Sequence, residues 1–327
     1  MALENHTRFN SHLAAESVDW ITRALLDSLT DLGNQLSEQA PSLSTQLGHL
    51  IDKINADRQI HHTVSPIIFG GYFHLVEVLD HNDTALASDI LDILCAHTAQ
   101  QDFVNCCDKF CQHSIERDIF TNCMLTETQQ KYWTACSPDE LQHAIPTLER
   151  IVELIKQTHP EFHTEFTTLV SSIILAKPHS EQFRFDGASS YHLWGLMMLA
   201  WDANKTTLEW IETLAHESSH IFLFGLMKEQ KLMHDYKLDQ TFSSPLRTDK
   251  RPLEGIFHAT FVSARMYHAV AHYKNHHPEL FDEKEIEKLL AASSASFNGG
   301  LSTLLKNAEL TSFGQQLLDD CAQVVNT

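Results

Sequence analysis

The sequence predicts a mainly α protein with a small antiparallel β-sheet, a helical N-terminal half followed by a strand-and-helix core. Three observations predict it. Apolar residues recur at three- and four-residue spacing over most of the chain. β-Branched and other apolar residues concentrate in short runs between 167 and 201, and an apolar helical segment holding His-Glu-x-x-His follows directly. The expected organisation is a helical scaffold region, 1–135, and a second domain, 136–327, or one continuous fold across the boundary.

Taken in order, Leu13, Val18, Ile21, Leu25, Leu29 and Leu32 mark a helix over 12–32, and 67–95 repeats the pattern, so 1–135 reads as helices throughout. His61-His62, in a short polar segment before Ser65-Pro66, reads as solvated. Ser137-Pro138-Asp139-Glu140 supplies an N-cap, a proline at the first helical position and a capping-box glutamate. That helix should run to about Gln157, bent or divided at Pro146. Thr167–Ala176 and Trp194–Trp201 read as strands, with a turn at Asp186-Gly187 between them, giving three short strands or a strand and a hairpin. The segment 208–224 is a helix, 228–250 is polar with proline punctuation, and Pro252 opens a helix over 253–267. Asp282 and Asn298-Gly299-Gly300 mark later breaks, and two further helices close the chain.

Composition narrows the function classes. A chain of 327 residues with 43% hydrophobic and 20% charged residues can bury a large core. Net charge of −20 repels nucleic acid and anionic membranes, and a neutral or basic peptide suits the surface better. No apolar run has the length of a membrane span, and the start of the chain lacks a secretory pattern, so a cytoplasmic protein is expected. Seven cysteines crowd mostly into 95–136 without the paired spacing of a zinc module, and read as reduced thiols on helices.

The chemistry concentrates in His216-Glu217-Ser218-Ser219-His220. Positions 216 and 220 share one helix face, so their imidazoles can share a metal, while Glu217 points about 100° away and can serve the metal's open side. In a chain holding 22 histidines the spacing alone also arises by chance, or from two histidines packed in a core. Two histidines need a third protein ligand. On the 253–267 helix, Glu254 and His258 lie on one face, one turn apart, and spacing does not choose between them. Glu254 would complete a two-His, one-carboxylate zinc peptidase with Glu217 as general base. The positions 254, 258, 261 and 265 hold a carboxylate, an imidazole, an aromatic ring and a guanidinium, a composition suited to the wall of a site.

These motifs together resemble a known family. His216-Glu-Ser-Ser-His220, followed by Ser243-Ser-Pro-Leu-Arg247-x-Asp249-x-Arg251-Pro252-Leu-x-Gly255-x-x-His258-Ala-x-Phe-Val-x-Ala-Arg265, is similar to the HExxH-motif peptide-modification proteins encoded beside ribosomally made peptide precursors. Phe185-x-x-x-Ser189-Ser and the apolar run from Gly195 resemble the segment preceding that family's metal helix. The likeness covers 165–275 and extends to the N-terminal half only in general character. It implies a zincin-like strand and metal-helix core, and an iron(II)- and 2-oxoglutarate-dependent oxygenase that hydroxylates the β-carbon of a residue in a precursor peptide. It further implies His216, His220 and His258 as ligands and an arginine for the distal carboxylate of 2-oxoglutarate: Arg265 first, then Arg251 and Arg247. The alternative is a zinc peptidase with Glu217 as general base.

Overall fold

The computed structural model describes residues 5–61 (His61 by its backbone alone), 63–98, 102–125, 131–180, 185–228, 230–235, 240–246 and 249–326. The expectation for His61-His62 concerns side chains outside those residues, and Arg247 lies outside them too. Among the described residues the chain is mainly α, with twelve α-helices and two small sheets. No helix among them is long and apolar enough to cross a membrane.

The contacts divide the chain into two compact units. One comprises Glu16–Thr147 and Leu169–Asp202. It holds most of α1 (Ser11–Leu36), then α2 (Pro41–His61), α3 (Pro66–Asp80), α4 (Thr84–Ala96), β1 (Val104–Cys106), α5 (Cys107–Phe110), α6 (Ser114–Cys123), β2 (Trp133–Ala135) and the first half of α7 (Pro138–Thr158). Its later segment adds β3 (Ser172–Pro178), β4 (Gly187–Ser189) and β5 (Leu196–Ala200). β3 is the sheet's centre: β5 lies parallel on one side, while β1, parallel, and β2, antiparallel, share the other. β4 closes the far edge antiparallel to β5. The sheet is thus mixed, with β2 antiparallel to β3 and β4 antiparallel to β5, and Asp186-Gly187, expected as a turn, opens β4 instead, the link from β4 to β5 running through 190–195. Ile173, Ile174 and Leu175 of β3 and Leu196 to Leu199 of β5 are all buried, which is why both strands read as continuous apolar runs without alternation. Gly195 enters β5 at φ +85°, a left-handed conformation that disfavours any Cβ.

The other unit comprises Met1–Ala15, Leu148–Thr168 and Ala203–Thr327. It holds α8 (Pro160–Leu169) almost entirely, α9 (Thr207–Met227), the ribbon β6 (Phe242–Ser243) and β7 (Lys250–Arg251), α10 (Leu253–His276), α11 (Glu283–Asn307) and α12 (Ser312–Val325). α10 packs against α9, α11 and α12, and Trp210, Phe222, Phe257, Phe261, Tyr273 and Phe297 fill the space between them. All seven cysteines are free thiols.

The helix starts follow local chemistry. Ser137 and Glu140 form the expected capping box: Glu140 Oε2 accepts the Ser137 N–H at 2.7 Å, and the Glu140 N–H donates to Ser137 Oγ at 3.3 Å. Pro146 stays inside α7, which runs unbroken to Thr158. α9 begins with a second box, Thr206 and Glu209, at 3.1 and 3.0 Å. Two expectations are corrected. The region 1–135 is not helical throughout, because β1 and β2 are strands of three residues each that exist by pairing with β3. Asn298-Gly299-Gly300 is no break: it lies within α11, and a Cβ at Gly300 would run into Thr260, so the glycine serves the close approach of α10 and α11.

The second unit also buries histidines. His268 of α10 stacks on Phe9 at 5.4 Å, and His159, almost fully buried, stacks on His272 at 3.7 Å. Burial lowers His159 to about 2, with His272, His268, His276 and His277 adding to the effect. Burial also lowers His268 to about 4, helped by Arg265, Arg8 and His272. Both lie below the ordinary histidine value of about 6.5. As pH falls through that value the unfolded chain takes up protons that the folded chain refuses, so stability present at neutral pH is lost on acidification. Each group contributes a slope of about 1.4 kcal/mol per pH unit. Urea unfolding is therefore expected to show clearly lower stability at pH 5 than at pH 7, and His268→Phe should flatten that dependence. An unchanged slope in the variant would contradict the assignment.

Candidate metal centre

α9 and α10 bring three of the sequence-predicted histidines together. His216 and His220 lie one turn apart on α9, with their Nε2 atoms 3.2 Å apart and ring centroids 5.0 Å apart. His258, in the second turn of α10, places Nδ1 3.4 Å from Nδ1 of His220, with centroids 5.7 Å apart. Two nitrogens on one tetrahedral zinc-like ion, each at 2.0–2.1 Å, sit about 3.3 Å from one another. Each pair therefore has the separation that a shared ion requires. His220, however, shows Nε2 to one partner and Nδ1 to the other. In this arrangement no group of three or more His, Cys, Asp or Glu side chains among the described residues is set to hold a metal ion.

Burial favours a neutral imidazole at His258. Desolvation lowers His258 to about 4 against the opposing pull of Glu254, and Phe224 packs on its ring at 5.2 Å. His216 Nδ1 lies 3.2 Å from the Met266 sulfur, leaving Nε2 turned to His220. Glu217 is buried, with Oε1 3.7 Å from His216 Nε2. Its carboxylate thus sits beside the cluster on the side where α9 geometry puts it. Ser218 and Ser219 are small enough to be buried in the helix contact, and Ser219 Oγ accepts a hydrogen bond from Arg265 Nε at 2.8 Å.

The arginines part company with the histidines. Arg265 is fully buried and its guanidinium is committed elsewhere. It pairs with buried Glu165 of α8, donates to the carbonyls of Thr7 at 3.2 Å and Arg8 at 3.3 Å, and stacks between Phe9 and Phe222 at 4.6 and 4.5 Å. Arg265, expected to anchor a cosubstrate carboxylate, thus has both faces of its guanidinium and its N–H groups engaged within the fold. Arg251 ends β7 and pairs with Asp249 at 2.7 Å. Helical periodicity carries no sign of Glu165, Thr7 and Arg8, the Arg265 partners that lie 100 and more positions away.

No protein-family model matches the chain, and no curated protein does.

Proposed function

We propose that this protein is a metal-dependent enzyme acting on a peptide, an iron(II)- and 2-oxoglutarate-dependent hydroxylase with His216, His220 and His258 as its metal ligands. The observation that carries the reading is the approach of three imidazoles within 3.2 and 3.4 Å across α9 and α10, beside buried Glu217. Imidazole donors with open positions suit non-haem iron as well as zinc. Iron(II) with 2-oxoglutarate would supply the oxidising power for hydroxylating an unactivated C–H bond. The chain's own residues then hold the metal, exclude water through the apolar wall of Phe224 and Met266, and orient a histidine through Glu217. Of the arginines expected for the distal carboxylate, Arg251, which pairs with Asp249 at 2.7 Å, would take that role by exchanging partners.

The commitment of Arg265 favours a second reading, a zinc hydrolase that needs no such anchor. There Glu217 would take the proton of the attacking water as general base. One experiment separates the two. Protein purified anaerobically and supplied with iron(II), 2-oxoglutarate and peptide should release succinate and a product heavier by one oxygen atom. Peptide cleavage with zinc, indifferent to 2-oxoglutarate, would establish the hydrolase instead.

A further inference from the structure

A second constellation lies in the other unit, far in sequence from the histidine cluster. Ser65 immediately precedes α3, His97 caps the end of α4, and Glu116 stands in the first turn of α6. These three helices pack on one another. Ser65 Oγ is 2.8 Å from His97 Nε2, and His97 Nδ1 is 2.5 Å from Glu116 Oε1. The other carboxylate oxygen of Glu116 accepts the N–H groups of Gln112 at 2.7 Å and His113 at 2.9 Å. From these contacts we infer that Ser65, His97 and Glu116 form a nucleophile, general base and orienting acid, a second active site that transfers or hydrolyses the acyl group of a small neutral ester.

The electrostatics assign the protons. Burial pushes the Glu116 carboxyl up, but hydrogen bonds from His97 and the two backbone N–H groups outweigh it and hold the group below the ordinary carboxylate range. An ionised carboxylate only accepts, so His97 Nδ1 carries the ring proton and Nε2 offers its lone pair to the Ser65 hydroxyl. The serine is also free of its usual local duty. An N-cap serine normally accepts a backbone N–H from the first helical turn, whereas Ser65 makes no side-chain cap and turns its hydroxyl to the imidazole. Ser65 is half-buried, and His97 and Glu116 are buried behind it, the order of exposure that an attacking group and its support require.

The chemistry closes without a cofactor. Ser65 Oγ attacks the ester carbonyl carbon while its proton passes to His97 Nε2, and the imidazolium is stabilised by Glu116. The carbon–alkoxy bond breaks, and the departing alkoxide takes that proton from His97. Water then attacks the acyl-serine, gives its proton to His97, and releases the carboxylic acid as Ser65 recovers its hydrogen. Pro66 follows the nucleophile and has no N–H, so the developing oxyanion falls to the N–H of Ile67 and the positive end of α3, a helix of 15 residues. The chain's net charge of −20 argues for a neutral ester over an anionic one.

The test uses the full chain stripped of metal with chelator, which silences the histidine cluster and makes the two sites separable. An ethoxy fluorophosphonate should add covalently to Ser65, with loss of fluoride, and peptide mass mapping should locate the adduct there. p-Nitrophenyl acetate should be hydrolysed, and Ser65→Ala should abolish both reactions while the melting transition shows a folded chain. His97→Gln should slow labelling by at least about 100-fold, the contribution of a positioned base. Should that variant unfold, Glu116→Gln, which keeps the shape of the orienting group and removes its charge, must slow labelling in the same direction. A folded wild-type protein that takes no label at Ser65 overturns the proposal, as does labelling indifferent to His97→Gln or to Glu116→Gln. Either result would leave the three residues as a structural link between α3, α4 and α6.

Discussion

Glu165→Ala should destabilise the protein by roughly 3–5 kcal/mol, the cost of leaving a buried cation without its partner. Both members of the Glu165–Arg265 pair are fully buried. Burial pushes the Glu165 carboxyl up and the Arg265 guanidinium down, and each opposes the other's shift. The pair also fastens the start of the chain. Glu165 Oε2 accepts the Asn10 N–H at 2.7 Å, Arg265 holds the carbonyls of residues 7 and 8, and His6 binds Asp320 through both its N–H, at 3.0 Å, and its Nδ1, at 2.7 Å. Removing the carboxylate therefore loses the ion pair and one backbone contact together. Replacing both charges, as Glu165→Leu with Arg265→Met, should recover only part of the loss, since the carbonyls of Thr7 and Arg8 keep no donor.

Urea unfolding near pH 7 measures this directly. A loss below about 1 kcal/mol for Glu165→Ala would show that the guanidinium finds other partners, and would reopen a role for it as an anion anchor. Arg265→Lys distinguishes the same alternatives in a second way. A lysine cannot hold the forked set of contacts, so stability should fall, whereas a cosubstrate anchor would raise the KM for 2-oxoglutarate and leave stability nearly intact.

Local signals made much of the fold legible. The Ser137–Glu140 box, the proline before α10 and the apolar run of β5 each act within a few residues and appear in the structure, whereas the strand expected over Thr167–Ala176 begins only at Ser172, because Thr167–Leu169 close α8. The first two histidines were legible for a related reason, since helical periodicity alone puts 216 beside 220; spacing left Glu254 and His258 open as the third, and the approach of α10 brings His258 against His220. What failed to show depends on distant partners. The stripe of 254, 258, 261 and 265 was read as one wall, yet Arg265 is drawn from it by Glu165 and by an N-terminal segment more than 250 residues away. Gly300 looked like punctuation until Thr260 was found against it. Ser65, His97 and Glu116 carry no common motif, and a Ser-Pro dipeptide signals only a helix start.

His220→Ala should weaken metal binding by at least about 100-fold, more than a supporting residue costs when lost. His220 alone touches both other histidines, through Nε2 to His216 and Nδ1 to His258. Without it the remaining two sit on different helices with no imidazole between them, and two separated donors hold a divalent ion poorly. The effect can be read from the cobalt(II) absorption spectrum, which reports ligand number, and from competition with a chromophoric chelator. The same titration resolves the third ligand. His258→Ala should match His220→Ala, while Glu254→Ala, one turn earlier on α10, should bind nearly as the wild type does and shift His258 alone, since its charge raises that imidazole against desolvation. Stoichiometric, tight binding by His220→Ala would sink the three-histidine centre and with it the functional reading built on α9. Retention by His258→Ala with loss in Glu254→Ala would instead move the centre to a carboxylate ligand, and the balance of the chemistry toward hydrolysis.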